Sequence, residues 1–173
     1  MGSVAKYRGI LLDFYGTLAR ATHWFSVEEA LAEHGYVLDP ELRDRWFNDG
    51  IDGDDHEAAS QSRDHYVKWQ LDRTYSMLSE SDVHPDEHAT IAEKLRIGAA
   101  TRVLEAYDEV PEVLAQLRAE GLKLVVCSNW DWDLAEAVDE SGLSDAVDLL
   151  VSSAWVGVRK PNPRIYLHTL EKA

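Results

Sequence analysis

A chain of 173 residues with 45% hydrophobic and 28% charged side chains is about one domain's worth of sequence, long enough to bury a core and too apolar for a disordered acidic tail. Lys and Arg number 17 against 32 Asp and Glu, a formal charge of -15, which argues against a nucleic-acid partner and leaves any anionic substrate to local cations and backbone donors. The single cysteine, Cys127, excludes an intrachain disulfide and a cysteine-rich zinc module, and no window approaches the roughly 18 apolar residues of a membrane span. With no export pattern at its start, the chain is expected to be cytoplasmic, with no membrane partner.

Gly9-Ile10-Leu11-Leu12 is a continuous apolar run ending at Asp13 and a glycine turn, which predicts a buried first strand. From about Ala21 to Glu105 no strand-like run is expected. Ser26-Val27-Glu28-Glu29 is a capping box for a helix stopping at Gly35, and Asp39-Pro40 opens another. A long helix is predicted to bury Val67, Leu71, Tyr75 and Leu78, and a further one Ile91, Leu95, Ala99 and Val103. These four make a small bundle in which Trp24, Trp46 and Trp69 pack. The acidic run Asp49 to Asp55 lacks calcium-loop spacing and reads as a solvated connection.

Beyond the bundle, Pro111 opens a helix with Val113, Leu114 and Leu117 that ends at Gly121. Leu122 to Cys127 predicts a second strand ending at Ser128-Asn129. Leu134, Ala137 and Val138 mark a helix closed by Ser141-Gly142, and Ala146 to Val151 predicts a third strand ending at Ser152-Ser153. A last helix runs from Asn162 to Ala173. Buried strands alternating with helices predict an α/β, doubly wound parallel sheet: a Rossmann-like core of residues 1–19 and 106–173 with a helical insertion at 20–105.

Ligands of such sheets bind outside the carboxyl ends of the strands, and those ends present Asp13, Ser128-Asn129 and, just past the third strand, Lys160. A carboxylate there can attack substrate and form an ester that water later hydrolyses. Lys160 supplies a cation, and Thr17 and Ser128 supply hydroxyls for anionic oxygens. Each residue alone reads as a turn, cap or loop residue; their ordered placement at successive strand ends makes them a candidate site. The seven histidines show no paired metal spacing, and Cys127 reads as a buried thiol.

Asp13-Phe14-Tyr15-Gly16-Thr17-Leu18, Ser128-Asn129 and Lys160-Pro161-Asn162-Pro163 together resemble the first three motifs of the haloacid dehalogenase superfamily of hydrolases, over essentially the whole chain. The resemblance implies that the insertion is that family's cap. It also implies Asp13 as nucleophile, Thr17 and Ser128 as substrate-oxygen donors, and Lys160 as the cation that orients Asp13 and stabilises the intermediate. Phe14, Tyr15, Asn129 and Tyr166 fall at substrate-binding positions. Phosphatases of the family usually carry a second Asp where this chain has Tyr15, and a phenol is a poor proton shuttle at neutral pH. Tyr15, with Tyr166 six residues after Lys160, is similar instead to the 2-haloacid dehalogenases, although Trp130 stands where those usually have Gly.

Two substrates therefore stay open, both small organic anions: a 2-haloacid handled without a cofactor, or a phosphate monoester handled with magnesium held partly by Asp13. Arg43, Arg45 and Arg63 are available in the insertion for a substrate carboxylate or halide. The family's acidic fourth motif is not found before Ala173, which predicts an exposed apolar edge beside the first strand. That edge is expected to aggregate, to be covered in a homo-oligomer, or to be completed by further sequence. The competing expectation is a catalytically incomplete protein acting as a binding or assembly module.

Overall fold

A computed structural model of the protein describes residues 7–47 and 53–173. In chain order the elements are β1 (Gly9–Leu12), β2 (Ala19–His23), α1 (Val27–Ala32), α2 (Pro40–Phe47), α3 (Arg63–Glu80), α4 (Pro85–Ala100) and β3 (Val103–Ala106). There follow α5 (Val110–Ala119), β4 (Lys123–Ser128), α6 (Leu134–Glu140), β5 (Leu149–Ser152), α7 (Ser153–Val156) and α8 (Pro163–Lys172).

β1, β4 and β5 form a parallel sheet in the order β1-β4-β5, with Leu12 opposite Val126 and Ser128 opposite Ser152. Their carboxyl ends therefore lie along one edge of the sheet. The central strand β4 is apolar and buried from Leu124 to Cys127 because both faces are covered. Leu124 and Val126 pack with Leu114 of α5 and Leu134, Ala137 and Val138 of α6, whereas Cys127 packs with Val151, Val158 and Ile165 of α8. Helices on both faces give the expected doubly wound architecture. Leu124 is fully buried, so Leu124→Ala should cost about 2–5 kcal/mol, measured as a lower midpoint in equilibrium denaturant unfolding.

Helices α1 to α4 form the inserted bundle around Leu31, Leu38, Met77, Leu78 and Ile91. The capping box at Ser26 and Glu29 forms as expected, and Asp39 Oδ1 accepts from the Glu41 amide at 2.8 Å at the start of α2. Gly98 lets α4 approach the ring of Phe25, which a Cβ at that position would meet at 2.7 Å.

Several expectations need correction. The insertion is not entirely helical, since the chain leaves and re-enters the core through the antiparallel pair β2–β3, with Ala19 opposite Ala106 and Arg20 opposite Glu105. Val103 belongs to β3 rather than to α4. This ribbon buries few of its side chains, so its short sequences show no apolar run; a cross-strand ion pair, Arg20 to Glu105 at 2.7 Å, helps to hold it. Ala19 and Ala106, the limits expected for the core, pair with each other as the first residue of β2 and the last of β3.

The buried face of α3 is also turned by about one residue. Tyr66, Met77 and Leu78 are buried, while Val67 and Leu71 are 49% and 42% exposed. Finally, β5 begins at Leu149, after a single 3-10 turn at Ser144–Ala146. Among the described residues β1 is an edge strand, and no helix is long and apolar enough to cross a membrane.

Candidate active site

Asp13 directly follows β1, where Gly16, at φ +77°, lets the chain turn back so that the Leu18 and Ala19 amides both reach the Phe14 carbonyl. One carboxylate oxygen of Asp13, Oδ1, takes three donors at 2.8 Å: the Phe14 amide, the Ser128 hydroxyl and the Lys160 ammonium. The other oxygen, Oδ2, has no donor among the described residues. Asn129 positions the lysine, since its Oδ1 accepts from the Lys160 amide at 2.6 Å and its Nδ2 donates to the Lys160 carbonyl at 3.1 Å.

The loop carrying Lys160 is also strapped to the insertion. The His56 amide donates to the Gly157 carbonyl at 2.7 Å, the Arg159 amide to Asp54 at 2.9 Å and the Gly53 amide to Lys160 at 3.0 Å. Arg164 pairs with Asp55 at 2.7 Å and Glu57 at 2.5 Å, and Asp54 pairs with Arg73 at 3.3 Å. The acidic run expected to be a solvated connection is thus, over Asp54 and Asp55, a paired strap; Asp49 and Asp52 lie outside the described residues. Its run of carboxylates meets basic partners far away in sequence, which composition alone does not reveal.

His56 fastens the strap. It is 5% exposed, stacks on Trp69 at 4.9 Å and contacts the Ser153 carbonyl through Nε2 at 3.2 Å. Burial pushes its imidazole below the ordinary value of 6.5. A histidine lowered in this way binds fewer protons folded than unfolded, so its contribution is complete above about pH 6.5 and is lost as pH falls through the lowered folded value. Thermal unfolding is expected to show a midpoint that declines on acidification below about pH 6.5, with a smaller decline in His56→Gln.

The loop between β4 and α6 is held from below by residues not singled out from sequence. The Ser152 hydroxyl bridges the Trp130 carbonyl at 2.6 Å and the Asp131 carbonyl at 2.8 Å, the Ser153 hydroxyl also reaches Trp130 at 3.1 Å, and the Trp155 indole donates to Trp132 at 2.9 Å. Their signal in the sequence was the polar Ser152-Ser153 end of the third strand.

Between core and insertion lies a cleft of about 680 Å³, lined among others by Tyr15, Trp24, Trp130 and Asn129. Tyr15 and Trp24 meet edge to face at 5.4 Å, and both lean on Trp130. Trp24, Trp46 and Trp69, expected to pack in the bundle, all line this cleft. Asp13, Ser128 and Lys160 come together at one point; none of the three is among the cleft-lining residues, whereas Tyr15, Asn129 and Arg159, close to them in the chain, are.

Other expected residues sit differently. Phe14 is fully buried in the core, so its amide alone serves the site and its side chain does not face substrate. Thr17 is exposed and its amide donates to the Phe14 carbonyl at 3.3 Å; its hydroxyl makes no bond to Asp13. Tyr166 is 37% exposed on α8 and is not among the cleft-lining residues. Arg43 lines the cleft, whereas Arg45 and Arg63 pair with Glu80 and Glu136 outside it. Arg73, Arg102 and Arg159 also line the cleft and had no signal in local sequence.

A magnesium ion prefers about six oxygen ligands, usually with one or two carboxylates. Asp13 is tied through Oδ1 to Lys160, and among the described residues no three His, Cys, Asp or Glu side chains converge.

Asp13, Ser128 and Lys160 gathered at the carboxyl edge of a doubly wound sheet, with a helical insertion after the first strand, are the arrangement expected of a hydrolase of the haloacid dehalogenase type. The family model for haloacid dehalogenase-like hydrolases matches residues 7–173, and the chain belongs to that family. It is 26% identical over 178 residues to the human haloacid dehalogenase-like hydrolase domain-containing protein 3, covering 99% of this chain and 65% of that protein. The chain thus spans about two thirds of that relative's length. A 64-residue stretch is 41% identical to the (S)-2-haloacid dehalogenase of Pseudomonas sp. (strain YL), covering 36% of this chain and 28% of that protein. The fold is similar to a crystal structure of a predicted phosphoglycolate phosphatase from Haemophilus somnus 129PT, with TM-score 0.64 and 15% identity, covering 98% of this chain and 73% of that one.

Proposed function

We propose that the protein hydrolyses a small 2-haloacid through a covalent ester on Asp13, without a cofactor. The observation that carries this reading is the division of labour within one carboxylate, Oδ1 held by three donors and Oδ2 left open. Oδ2 attacks the halogen-bearing carbon: the C–O bond forms as the carbon–halogen bond breaks, and the halide departs with the bonding pair. Water then adds to the carboxyl carbon of the ester. The oxyanion that develops is Oδ1, already placed 2.8 Å from the Phe14 amide, the Ser128 hydroxyl and the Lys160 ammonium, which is the geometry of an oxyanion hole. As this intermediate collapses, the bond to the substrate oxygen breaks, the departing alkoxide takes the second proton of the added water, and the Asp13 carboxylate is restored as a 2-hydroxy acid leaves. The overall balance is one water consumed and one halide and one proton released.

The leaving group argues for the halide. Expelling an alkoxide from a phosphate ester calls for a proton donor. The acids of the cleft near the site are committed: Asp54 to Arg73, and Asp131 to the Tyr66 hydroxyl at 2.9 Å and Gln70 at 2.7 Å. Tyr15, at the position where a second carboxylate would serve, packs its ring on Trp24. Bromide release from 2-bromopropionate, measured beside phosphate release from an aryl phosphate with and without magnesium, tests the reading. Bromide release without magnesium is expected. Magnesium-dependent phosphate release without bromide release overturns it, and a folded protein that turns over neither substrate overturns it in favour of a binding or assembly role.

A further inference from the structure

Four arginines line the cleft: Arg43, Arg73, Arg102 and Arg159. Three of them meet carboxylates, Arg43 with Glu28 at 2.5 Å, Arg73 with Asp54 at 3.3 Å and Arg102 with Asp133 at 2.9 Å. Arg159 meets none among the described residues, and its Nε, like that of Arg102, is buried without a hydrogen-bond partner. A buried guanidinium donor without an acceptor is costly, and its presence asks what supplies the acceptor.

The neighbourhood sharpens that question. The Arg159 backbone is fixed by its amide bond to Asp54 at 2.9 Å, and the next residue is Lys160. Arg73 lies near enough that the two guanidiniums repel: its pKa is pulled down by burial first, and Arg159 lowers it further. The Asp54 carboxylate pairs with Arg73, and its backbone carbonyl with the Arg159 amide. The other nearby cleft carboxylate, Asp131, is taken by Tyr66 and Gln70. In a chain with a formal charge of -15, an uncompensated cation inside a cleft is a local reversal of the overall field.

We infer that Arg159, with Arg73 beside it, is a subsite for a second anionic group of the substrate, so that the preferred substrate is a 2-halo dicarboxylic acid. One carboxylate sits on the reacting carbon near Asp13 and the other reaches the arginines. Trp24, Trp69 and Trp130 line the same cleft as Arg73 and Arg159 and suit an apolar chain between two anionic ends. A cleft of about 680 Å³ also holds far more than a three-carbon acid needs. The inference rests on the Asp13 reading for the halide and on the arginines for the second carboxylate.

Calorimetric titration of the full chain with hexanoate and with hexanedioate, which differ by a terminal methyl against a carboxylate, tests the subsite without turnover. Hexanedioate is expected to bind at least about ten-fold more tightly, from one charge-assisted contact. Arg159→Gln should bring the two ligands within about two-fold of each other, Arg159→Lys should keep part of the preference, and Arg96→Gln, on an exposed helix face, should keep all of it. Equal binding of both acids by the wild-type chain, or a preference untouched by Arg159→Gln, overturns the inference. The chemistry is read separately from bromide release by 2-bromohexanoate and 2-bromohexanedioate. Release from both at equal efficiency overturns the subsite and leaves the Asp13 reading standing. Preferential binding of hexanedioate with no bromide release from either bromoacid supports the subsite and overturns the dehalogenase reading.

Discussion

Asp13→Asn should lower bromide release from 2-bromopropionate by at least about a thousand-fold while leaving the fold intact. The amide cannot supply the anionic oxygen that attacks carbon, so the loss falls on the chemical step. Its oxygen can still accept from the Ser128 hydroxyl and the Phe14 amide, as Oδ1 of the carboxylate does at 2.8 Å. The side chain is 43% exposed, and its replacement should leave the near-ultraviolet circular dichroism unchanged. A single turnover in water enriched in oxygen-18 separates the covalent route from direct attack by water. Label is expected in the Asp13 carboxylate, found by mass spectrometry of the peptide that contains it; label confined to the product acid would count against the ester.

Gly157→Ala should have the second-largest effect, though residue 157 touches no substrate. Gly157 has φ +84°, and a Cβ there would stand 2.5 Å from Cα of Glu57. Left-handed backbone alone costs a non-glycine residue about 1 kcal/mol or more. The contact adds a clash with main chain, which cannot rotate away. Strap and loop must therefore part, and the bond from the His56 amide to the Gly157 carbonyl, 2.7 Å long, is lost with them. Three residues further on is Lys160, and a displacement near 1 Å can cost about a hundred-fold in rate. The expected result is a lower unfolding midpoint together with a fall in kcat of that order, the second read from bromide release under saturating substrate.

The parallel core and its three candidate site residues were legible in the sequence because the strands read as largely apolar runs, although β1, expected to be buried, is only partly so at the sheet edge. Asp13 and Ser128 stand at the ends of two such runs, and Lys160 follows a third. The β2–β3 ribbon was hidden because its strands are half-solvated and contain Arg20, Thr22 and Glu105 among few apolar residues. In α3 the misreading has a different cause. The face turned inward borders a cleft and carries Tyr66, Gln70 and Arg73, while Val67 and Leu71 point outward, so counting apolar residues chooses the wrong side. The strap and Arg159 were beyond local pattern altogether. A carboxylate or guanidinium looks the same in sequence whether its partner is water or a side chain a hundred residues away.

Four of the six tryptophans, Trp24, Trp46, Trp69 and Trp130, border the cleft. Trp24 and Trp130 lie 5.8 Å apart, ring centre to ring centre. The molecule therefore carries its own optical probe at the place where substrate enters. Intrinsic emission and the coupled indole bands report on the cleft far more than on the rest of the fold, so occupancy can be followed without a label.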